Sequence, residues 1–177
     1  DSLFSGMIDT SGPAGVAIAT QGAVTIGGGV RTSGGGTVTF EQGAGLTLNG
    51  DILADGAILE QGTGIVAIGT ARSITTTGDT IEFTGAVQLR GGASGQARFD
   101  TTFGGNAAGN DITFHDTVGA TTAAPNAEQL FLNAGRNGDI LFEQHVGSGT
   151  SLATLEITGA HNFTAERGIT AGSLIQR

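Results

Sequence analysis

The acidic side chains are the first residues in this sequence that offer chemistry, and they are spread almost evenly along the chain. Asp51 and Asp55 are a candidate pair, because two carboxylates about 5–9 Å apart can act as acid and base on a glycosidic bond. The competing interpretation is that an Asp beside Gly or Asn sits in a turn and bonds its own backbone. The even spread of the carboxylates favours the turn interpretation, so we assign no catalytic residue.

Metal binding is the second chemistry to consider. His115 and His145 follow segments that resemble each other, so they are expected near each other and, with Asp116, are candidates for a divalent-metal site. No His-x-His or His-x-x-x-His spacing supports that site, and solvent-facing positions on strands are the simpler interpretation. The Gly-Gly-x-Gly-x-Asp repeat that binds calcium is absent, which leaves only incidental loop sites at 110–111 and 137–139. We expect no resident metal and no cofactor.

The charge of the chain argues against two classes of partner. The formal net charge is −9, and all seven basic residues are Arg. A nucleic-acid-binding protein needs a basic stripe that displaces counterions from phosphate, and an anionic membrane surface attracts basic segments. No apolar run approaches the ~20 residues that cross a bilayer, and there is no Cys for a disulfide or a thiolate site. We therefore expect neither nucleic-acid binding nor membrane insertion.

The elements that position these side chains are predicted to be short strands. Gly fills 33 of the 177 positions, and a helix loses about 1 kcal/mol for each Gly relative to Ala. Apolar residues alternate with Thr or Glu over short runs before Gly, Asn or Asp interrupts, which is the pattern of a half-buried strand. Such runs lie at 37–40, 46–48, 80–83, 111–114, 139–142 and 155–158. The sequence predicts an all-β protein.

Internal repeats indicate how the strands are arranged. The motif Glu-Gln-Gly recurs at 41–43 and 60–62, a shift of 19. Further on, Ile81–Phe83, Ile112–Phe114 and Ile140–Phe142 recur at shifts of 31 and 28, each followed by a Val. Three short strands with three turns need roughly 20 residues, which is one coil of a parallel β-helix. We expect a three-sided parallel β-helix with coils of roughly 20–30 residues, with a β-sandwich or jelly roll as the alternative.

The shift of 19, taken as one coil, places further residues. Glu41 is expected on Glu60 and Gln42 on Gln61, which gives a Gln ladder along the axis beside exposed Glu side chains. The nine Phe are expected mostly at inward positions, as core. The longer shifts require inserted loops, for which the stretches 91–109 and 119–126 have the composition.

The C-terminal part of the sequence resembles a known family. Residues 138–175 read GDILFEQHVGSGTSLATLEITGAHNFTAERGITAGSLI, with an L-x-x-L-x-I-T-G strand followed by F-T-A and G-I-T-A-G-S-L. Residues 110–119 with 130–135 look like a looser copy. These motifs resemble the repeats of filamentous-haemagglutinin-like adhesins and the β-solenoid passengers of autotransporters. The resemblance implies a right-handed parallel β-helix, export across the bacterial cell envelope and a role at the cell surface.

These observations predict a structural or adhesive function without catalysis. We expect residues 1–177 to form a single β-solenoid domain, a fragment or subunit of a larger assembly that is extracellular or on the bacterial cell surface. Its expected partners are further coils, from its own copies stacked end to end or from flanking parts of the parent protein. Glycans or proteins of a host or neighbouring cell are further expected partners. The alternative is a polysaccharide-active β-helix lyase or hydrolase, since that fold also carries such enzymes.

Overall fold

The fold is built almost entirely from short strands. The computed structural model describes residues 1–124 and 127–177, and in these residues it contains 21 strands and two 3-10 helices. The strands are β1 Ser2–Phe4, β2 Ile8–Thr10, β3 Val16–Thr20, β4 Val24–Ile26, β5 Val30–Thr32, β6 Val38–Gln42, β7 Leu46–Leu48, β8 Ile52–Ala54, β9 Ile58–Glu60, β10 Val66–Ile68, β11 Arg72–Thr76, β12 Ile81–Phe83, β13 Val87–Leu89, β14 Gln96–Asp100, β15 Ile112–Phe114, β16 Val118–Ala120, β17 Gln129–Asn133, β18 Ile140–Phe142, β19 Leu152–Gly159, β20 Phe163–Ala165 and β21 Ala171–Gln176. The short helices are Gly92–Ser94 and Phe103–Gly105.

Every strand pairing in the described part of the chain is parallel, and the strands fall into three sheets. Sheet A has the order β1-β4-β7-β10-β13-β16, sheet B has β2-β5-β8-β11-β14-β17-β19-β21, and sheet C has β20-β18-β15-β12-β9-β6-β3. The chain therefore visits the three sheets in turn and advances by one coil per circuit. Towards the C-terminus, sheet A continues as single-residue bridges from Val118 to Val146 and from Val146 to Ile169. The predicted parallel β-solenoid is confirmed, with about eight coils, and the sandwich alternative is wrong.

The length of a coil varies along the chain, and the strand register shows where. Ile81 pairs with Ile112, and Ile112 pairs with Ile140, which confirms the shifts of 31 and 28. Phe40 pairs with Glu60, so the shift there is 20 and the predicted 19 is wrong by one residue. Because side chains alternate along a strand, that one residue moves Glu60 from the surface to the interior.

The extra length of the later coils lies in the corners between sheets. The Gly-rich stretch 91–109, predicted as loop, is irregular only in part: it contains both 3-10 helices, and strand β14 runs between them. The second predicted loop, 119–126, is correct only in part. Gly119 and Ala120 belong to β16, residues 121–124 form a turn, and 125–126 lie outside the described residues. The strand extends this far because Ala120 faces the core and is only 8% exposed.

Phe rings run through the centre of one continuous apolar core. Phe83, Phe114 and Phe142 of sheet C stack along the axis, with ring centroids 6.0 and 4.9 Å apart. Phe99 of sheet B meets Phe83 and Phe114 edge-on, at 5.5 and 5.1 Å. Such aromatic pairs add about 0.5–1.5 kcal/mol beyond their burial. The expectation that Phe is mostly core is confirmed, although Phe131 points outward from sheet B.

Two corners show why the chain uses so much Gly. A Cβ on Gly50 would lie 2.1 Å from the backbone nitrogen of Gly29 in the coil below. Gly15 has a φ of +65°, and a Cβ there would lie 1.9 Å from the carbonyl oxygen of Thr37. Ala71, with a φ of +53°, is the only non-Gly residue with positive φ in the described part of the chain.

Candidate functional site

The carboxylates of the candidate pair Asp51 and Asp55 are bound to neighbouring coils. Asp51 Oδ1 accepts the backbone N–H of Ser73 at 3.0 Å. Asp55 accepts the backbone N–H of Gly35 at 2.9 Å and the hydroxyl of Thr77 at 2.7 Å. The bonds from Gly35 and Thr77 lower the pKa of Asp55. Asp51 therefore connects its coil to the next one, whereas Asp55 connects the coils on either side of β8.

The turn interpretation is right about location and wrong about the bonding partner. Asp111 Oδ1 accepts the backbone N–H of Asp139 at 2.8 Å, one coil further on. Asp139 Oδ1 accepts the N–H of Asn162 at 3.0 Å and lies 3.0 Å from His161 Nδ1, again one coil further on. Burial alone would raise the pKa of Asp139, but the hydrogen bonds from His161 and Asn162 lower it. The two Asp side chains at the loop positions considered for calcium thus accept N–H groups of the next coil.

His115 connects three coils of sheet C. Its Nε2 lies 2.9 Å from Glu82 Oε1, and its Nδ1 lies 2.9 Å from Glu143 Oε1. Because both ring nitrogens donate only in the protonated form, this geometry fits an imidazolium between two carboxylates. Burial alone would lower the pKa of His115, but the hydrogen bonds to Glu143 and Glu82 raise it above its usual value.

The raised pKa of His115 makes a stability prediction. A group whose pKa is higher in the folded state stabilises the fold below its unfolded pKa and loses that effect as pH rises through the folded pKa. We expect wild type to lose stability between about pH 6 and about pH 9, and the His115→Gln variant to lose less. The urea midpoint of unfolding, determined for each protein at both pH values, measures this loss of stability. His145→Gln is the matched control, since no carboxylate of the described residues lies within ion-pair distance of His145. Equal pH slopes for His115→Gln and wild type would contradict the prediction.

The three predicted metal ligands face different partners. His115 lies opposite Glu143 in the strand register, two residues before His145. His145 Nδ1 accepts the N–H of Gly168 at 3.2 Å, and Asp116 accepts the N–H of Thr117 at 2.6 Å. Within residues 1–124 and 127–177, no group of three or more His, Asp or Glu side chains is placed to hold a metal ion.

A buried carboxylate takes the place of the predicted Gln ladder. Because the shift is 20, Glu60 faces inward between Phe40 and Phe83, and it is 0% exposed. Gln42 donates its side-chain amide to Glu60, whereas Gln61 is exposed. The predicted Glu41–Glu60 and Gln42–Gln61 pairs are therefore wrong, because the register shift is 20 and not 19.

Three donors surround the Glu60 carboxylate. Besides the Gln42 amide, the backbone N–H groups of Gly62 and Gly85 donate to it at 2.9 and 2.8 Å. These donors come from three successive coils, so Glu60 joins them inside the core. The carbonyl oxygen of Gln42, Oε1, is buried without a hydrogen-bond partner among the described residues.

A second buried carboxylate, Glu128, organises the corner between sheets A and B. It is 0% exposed. It accepts the hydroxyl of Thr121 at 2.8 Å and the backbone N–H groups of Thr122 and Gly92, each at 3.1 Å. Burial alone would raise the pKa of Glu128, but these hydrogen bonds lower it. Glu128 thereby joins the 92–94 helix to the 121–124 turn one coil away, a link that nothing in the sequence indicated.

A cleft of about 350 Å³ lies on the outer face of sheet B; we call it the sheet B cleft. It is lined by Ala71, Arg72, Ser73, Gln96, Arg98 and Phe131. Arg98 donates to Asp100 Oδ2 from Nη2 at 2.6 Å and from Nε at 3.2 Å. Arg72 Nη1 lies 3.7 Å from Asp51 Oδ1, and Arg72 Nε is buried with no hydrogen-bond partner in the described part of the chain. No motif in the sequence indicated a cleft at these residues.

The first and last coils of the solenoid are open. Strands β1, β2 and β3 are paired on one side only, and so are β20 and β21 at the opposite end. Phe4 and Ile18 at the first end are only partly buried. At the other end Leu174 is 53% exposed, although its partner in the coil below, Leu155, is fully buried. Each end therefore presents unpaired backbone together with core side chains.

Comparison with known proteins finds no protein-family model, curated protein or solved structure that this chain matches. The described residues also include no helix that is both long and apolar enough to cross a bilayer. The three stacked parallel sheets place the protein in the class of three-sided parallel β-solenoids.

Proposed function

We propose that this chain is a stretch of solenoid shaft in an exported bacterial surface protein, with a structural and adhesive role and no catalytic step. The motifs at 138–175 that resemble surface-adhesin repeats support the extracellular location. The regular coil stacking supports the mechanical role, because each coil contacts only its neighbours and extends a stiff rod. About eight coils at ~4.8 Å each give a rod of about 38 Å.

The open coils at the two ends are the observation that carries this proposal. A sheet edge with unpaired N–H and C=O groups is a template for another strand, and solenoids need caps or further coils to protect it. All three sheets are open at the first coil, and the core side chains there are only partly buried. We therefore propose that both ends pair with further coils, from the same parent chain or from a second copy.

The two ends are chemically compatible with each other in sheet C. Val16 and Ile18 occupy the inward columns at the first end. The same two columns finish with Phe163 and Ala165 at the other end. Stacking the first end of one copy on the last end of another would set Val16 over Phe163 and Ile18 over Ala165. In each of these two contacts a smaller side chain meets a larger one, Val against Phe and Ala against Ile. The apolar area of both ends would then leave water.

The test is electron microscopy of the purified protein over a concentration series. We expect rods that lengthen with concentration, because association buries the open edges. The open edge of β3, at the first end of sheet C, can be blocked selectively at Ala17. The N–H of Val16 and the C=O of Thr20 already bond β6, so the alternate N–H groups of Ala17 and Ala19 face the open edge. Ala17→Pro removes one of these donors without breaking the β3–β6 ladder, and we expect it to stop lengthening.

Ala17→Val is the matched control, because it keeps the donor and suits a strand. We expect this variant to lengthen like wild type. Rods of constant length at every concentration, with no difference between Ala17→Pro and Ala17→Val, would contradict the role assigned to the open ends. Compact particles without a long axis would contradict the shaft itself.

A further inference from the structure

The sheet B cleft is lined by two Arg side chains, in a chain whose net charge is −9. Arg72 and Arg98 both line it, and their side chains are 30% and 46% exposed. Asp51 approaches Arg72 only to 3.7 Å, and Asp51 also accepts the backbone N–H of Ser73. The Arg72 guanidinium is therefore weakly paired, and its buried Nε has no partner in the described residues. The buried Nε is closed to a ligand, so a carboxylate would bind this guanidinium through two parallel N–H···O bonds from Nη1 and Nη2.

Arg98 is the more firmly held of the two. Asp100 contacts its Nε and Nη2 atoms, which leaves Nη1 without a carboxylate within ion-pair distance in residues 1–124 and 127–177. Burial alone would raise the pKa of Asp100, but the bonds from Thr102 and Arg98 lower it, so Asp100 stays charged and fixes the guanidinium in place. Arg98 is thus a pre-organised donor at the lining of the cleft.

Phe131 supplies an aromatic surface beside these donors. Leu130 and Leu132 on either side of it point into the core, so Phe131 points outward. In the strand register it is the direct neighbour of Arg98. The face of an aromatic ring is electron-rich and attracts C–H groups, which is how a sugar ring packs against it. Ser73 and Gln96 at the cleft add hydroxyl and amide groups suited to sugar hydroxyls.

The backbone at the cleft is strained. Ala71, which lines the cleft next to Arg72, has a φ of +53°. A non-Gly residue in this region costs roughly 1–2 kcal/mol, and the chain uses Gly at its other positive-φ corners in the described part. Strained residues concentrate at binding and catalytic sites. The strain is therefore independent of the charges and points to the same place.

We propose that the sheet B cleft binds a carboxylate-bearing saccharide, with Arg72 and Arg98 on the carboxylate and Phe131 under the sugar ring. This inference rests on the adhesive part of the proposed function and names its ligand class. The net charge of −9 repels a polyanion from the molecule as a whole. Binding must therefore be carried by this local pair of guanidinium groups, which makes it sensitive to the loss of one of them.

The probe is a fluorescent galacturonate oligosaccharide, compared with the same oligosaccharide as its neutral methyl ester. We expect the acid to bind at least tenfold more tightly than the ester by fluorescence anisotropy, as a hydrogen bond between charged groups supports. A poly-aspartate peptide of equal charge tests whether the sugar ring matters. Equal binding of the acid and the ester, or of the acid and the peptide, would overturn the proposal.

The variants are Arg72→Gln and Phe131→Leu. Arg98 is left in place, because its loss would leave the buried Asp100 unpaired and threaten the fold. We expect Arg72→Gln to weaken binding of the acid about tenfold or more and to leave the weak binding of the ester unchanged. Phe131→Leu should weaken both. Arg31→Gln is the matched control, since Arg31 is an exposed Arg on the same sheet and does not line the cleft.

Binding of the acid by Arg72→Gln that equals binding by wild type and Arg31→Gln would overturn the site. This result can be separated from the shaft function, because rod lengthening depends on the open ends and not on Arg72. Normal rods without saccharide binding would reject the inference alone. Binding without rods would reject the role of the ends alone.

Discussion

Replacing Phe114 with Ala is expected to destabilise the solenoid by about 3–5 kcal/mol, the usual range for removing a buried Phe. Phe114 is 1% exposed and lies at the centre of the aromatic stack. Its ring centroid lies 4.9 Å from that of Phe142, 5.1 Å from that of Phe99 and 6.0 Å from that of Phe83. The variant therefore loses burial and three aromatic contacts at once. Urea denaturation followed by circular dichroism measures the change.

Phe103→Ala is the control for this measurement. Phe103 is 49% exposed and lies in the second 3-10 helix. Its replacement should change the free energy of unfolding by about 0.5 kcal/mol or less, as is usual for surface positions. Similar losses for the two variants would mean that the aromatic stack does not hold the middle coils together.

Replacing Glu60 with Ala is expected to have an effect of similar size, on the order of 3 kcal/mol or more. Truncation leaves the buried N–H groups of Gly62 and Gly85 and the Gln42 amide without their acceptor. Each buried donor left unpaired costs about 1–3 kcal/mol. Glu60→Gln keeps the size and one acceptor oxygen, so we expect a smaller loss. The free energy of unfolding in urea should therefore fall in the order wild type, Glu60→Gln, Glu60→Ala.

Glu41→Ala provides the comparison, because Glu41 is the exposed member of the first Glu-Gln-Gly copy. Removing it deletes the same functional group from the same sheet without leaving buried donors. We expect little change in the urea midpoint. If Glu60→Ala were as mild as Glu41→Ala, the bonds around the Glu60 carboxylate would not contribute to the fold.

The architecture could be predicted because its signal is repeated. The segments Ile81–Phe83, Ile112–Phe114 and Ile140–Phe142 each place an inward Ile two residues before an inward Phe. The three Ile and the three Phe pair with one another in sheet C. Alternation within each segment gives the strand, and recurrence at one coil length gives the stacking. No single strand here is long enough to carry that information alone.

The register around Glu60 could not be predicted in the same way. Aligning the two Glu-Gln-Gly motifs places identical residues on each other and gives a coil of 19 residues. In the structure Glu60 pairs with Phe40, which gives a coil of 20. The correct register puts a carboxylate in the core, which hydrophobic patterning counts as an error. It is tolerated because N–H groups from other coils converge on the carboxylate, and those partners are visible only once the coils are stacked.

The sheet B cleft could be predicted from the sequence only in part. Leu130 and Leu132 alternate with Phe131 and face the core, whereas the sequence predicted Phe as mostly core and did not mark Phe131 as an outward exception. Its position beside Arg98 depends on a coil of 33 residues, and the inserted corner loops hide that length. The carboxylates of Asp51 and Asp111 were assigned to their own turns for a related reason. Their partners lie about one coil away, at a separation that differs from corner to corner.

The uneven coils give the rod an uneven response to tension. The hydrogen bonds between coils run along the axis, so a pull on the two ends detaches coils one after another. A coil of 22 residues, such as the one from Val24 to Leu46, yields about 75 Å of chain when extended. The coil of 31 residues from Ile81 to Ile112 yields about 105 Å. We therefore expect the rod, if pulled from its two ends, to lengthen in unequal steps, with larger steps from the middle coils that carry the inserted corner loops.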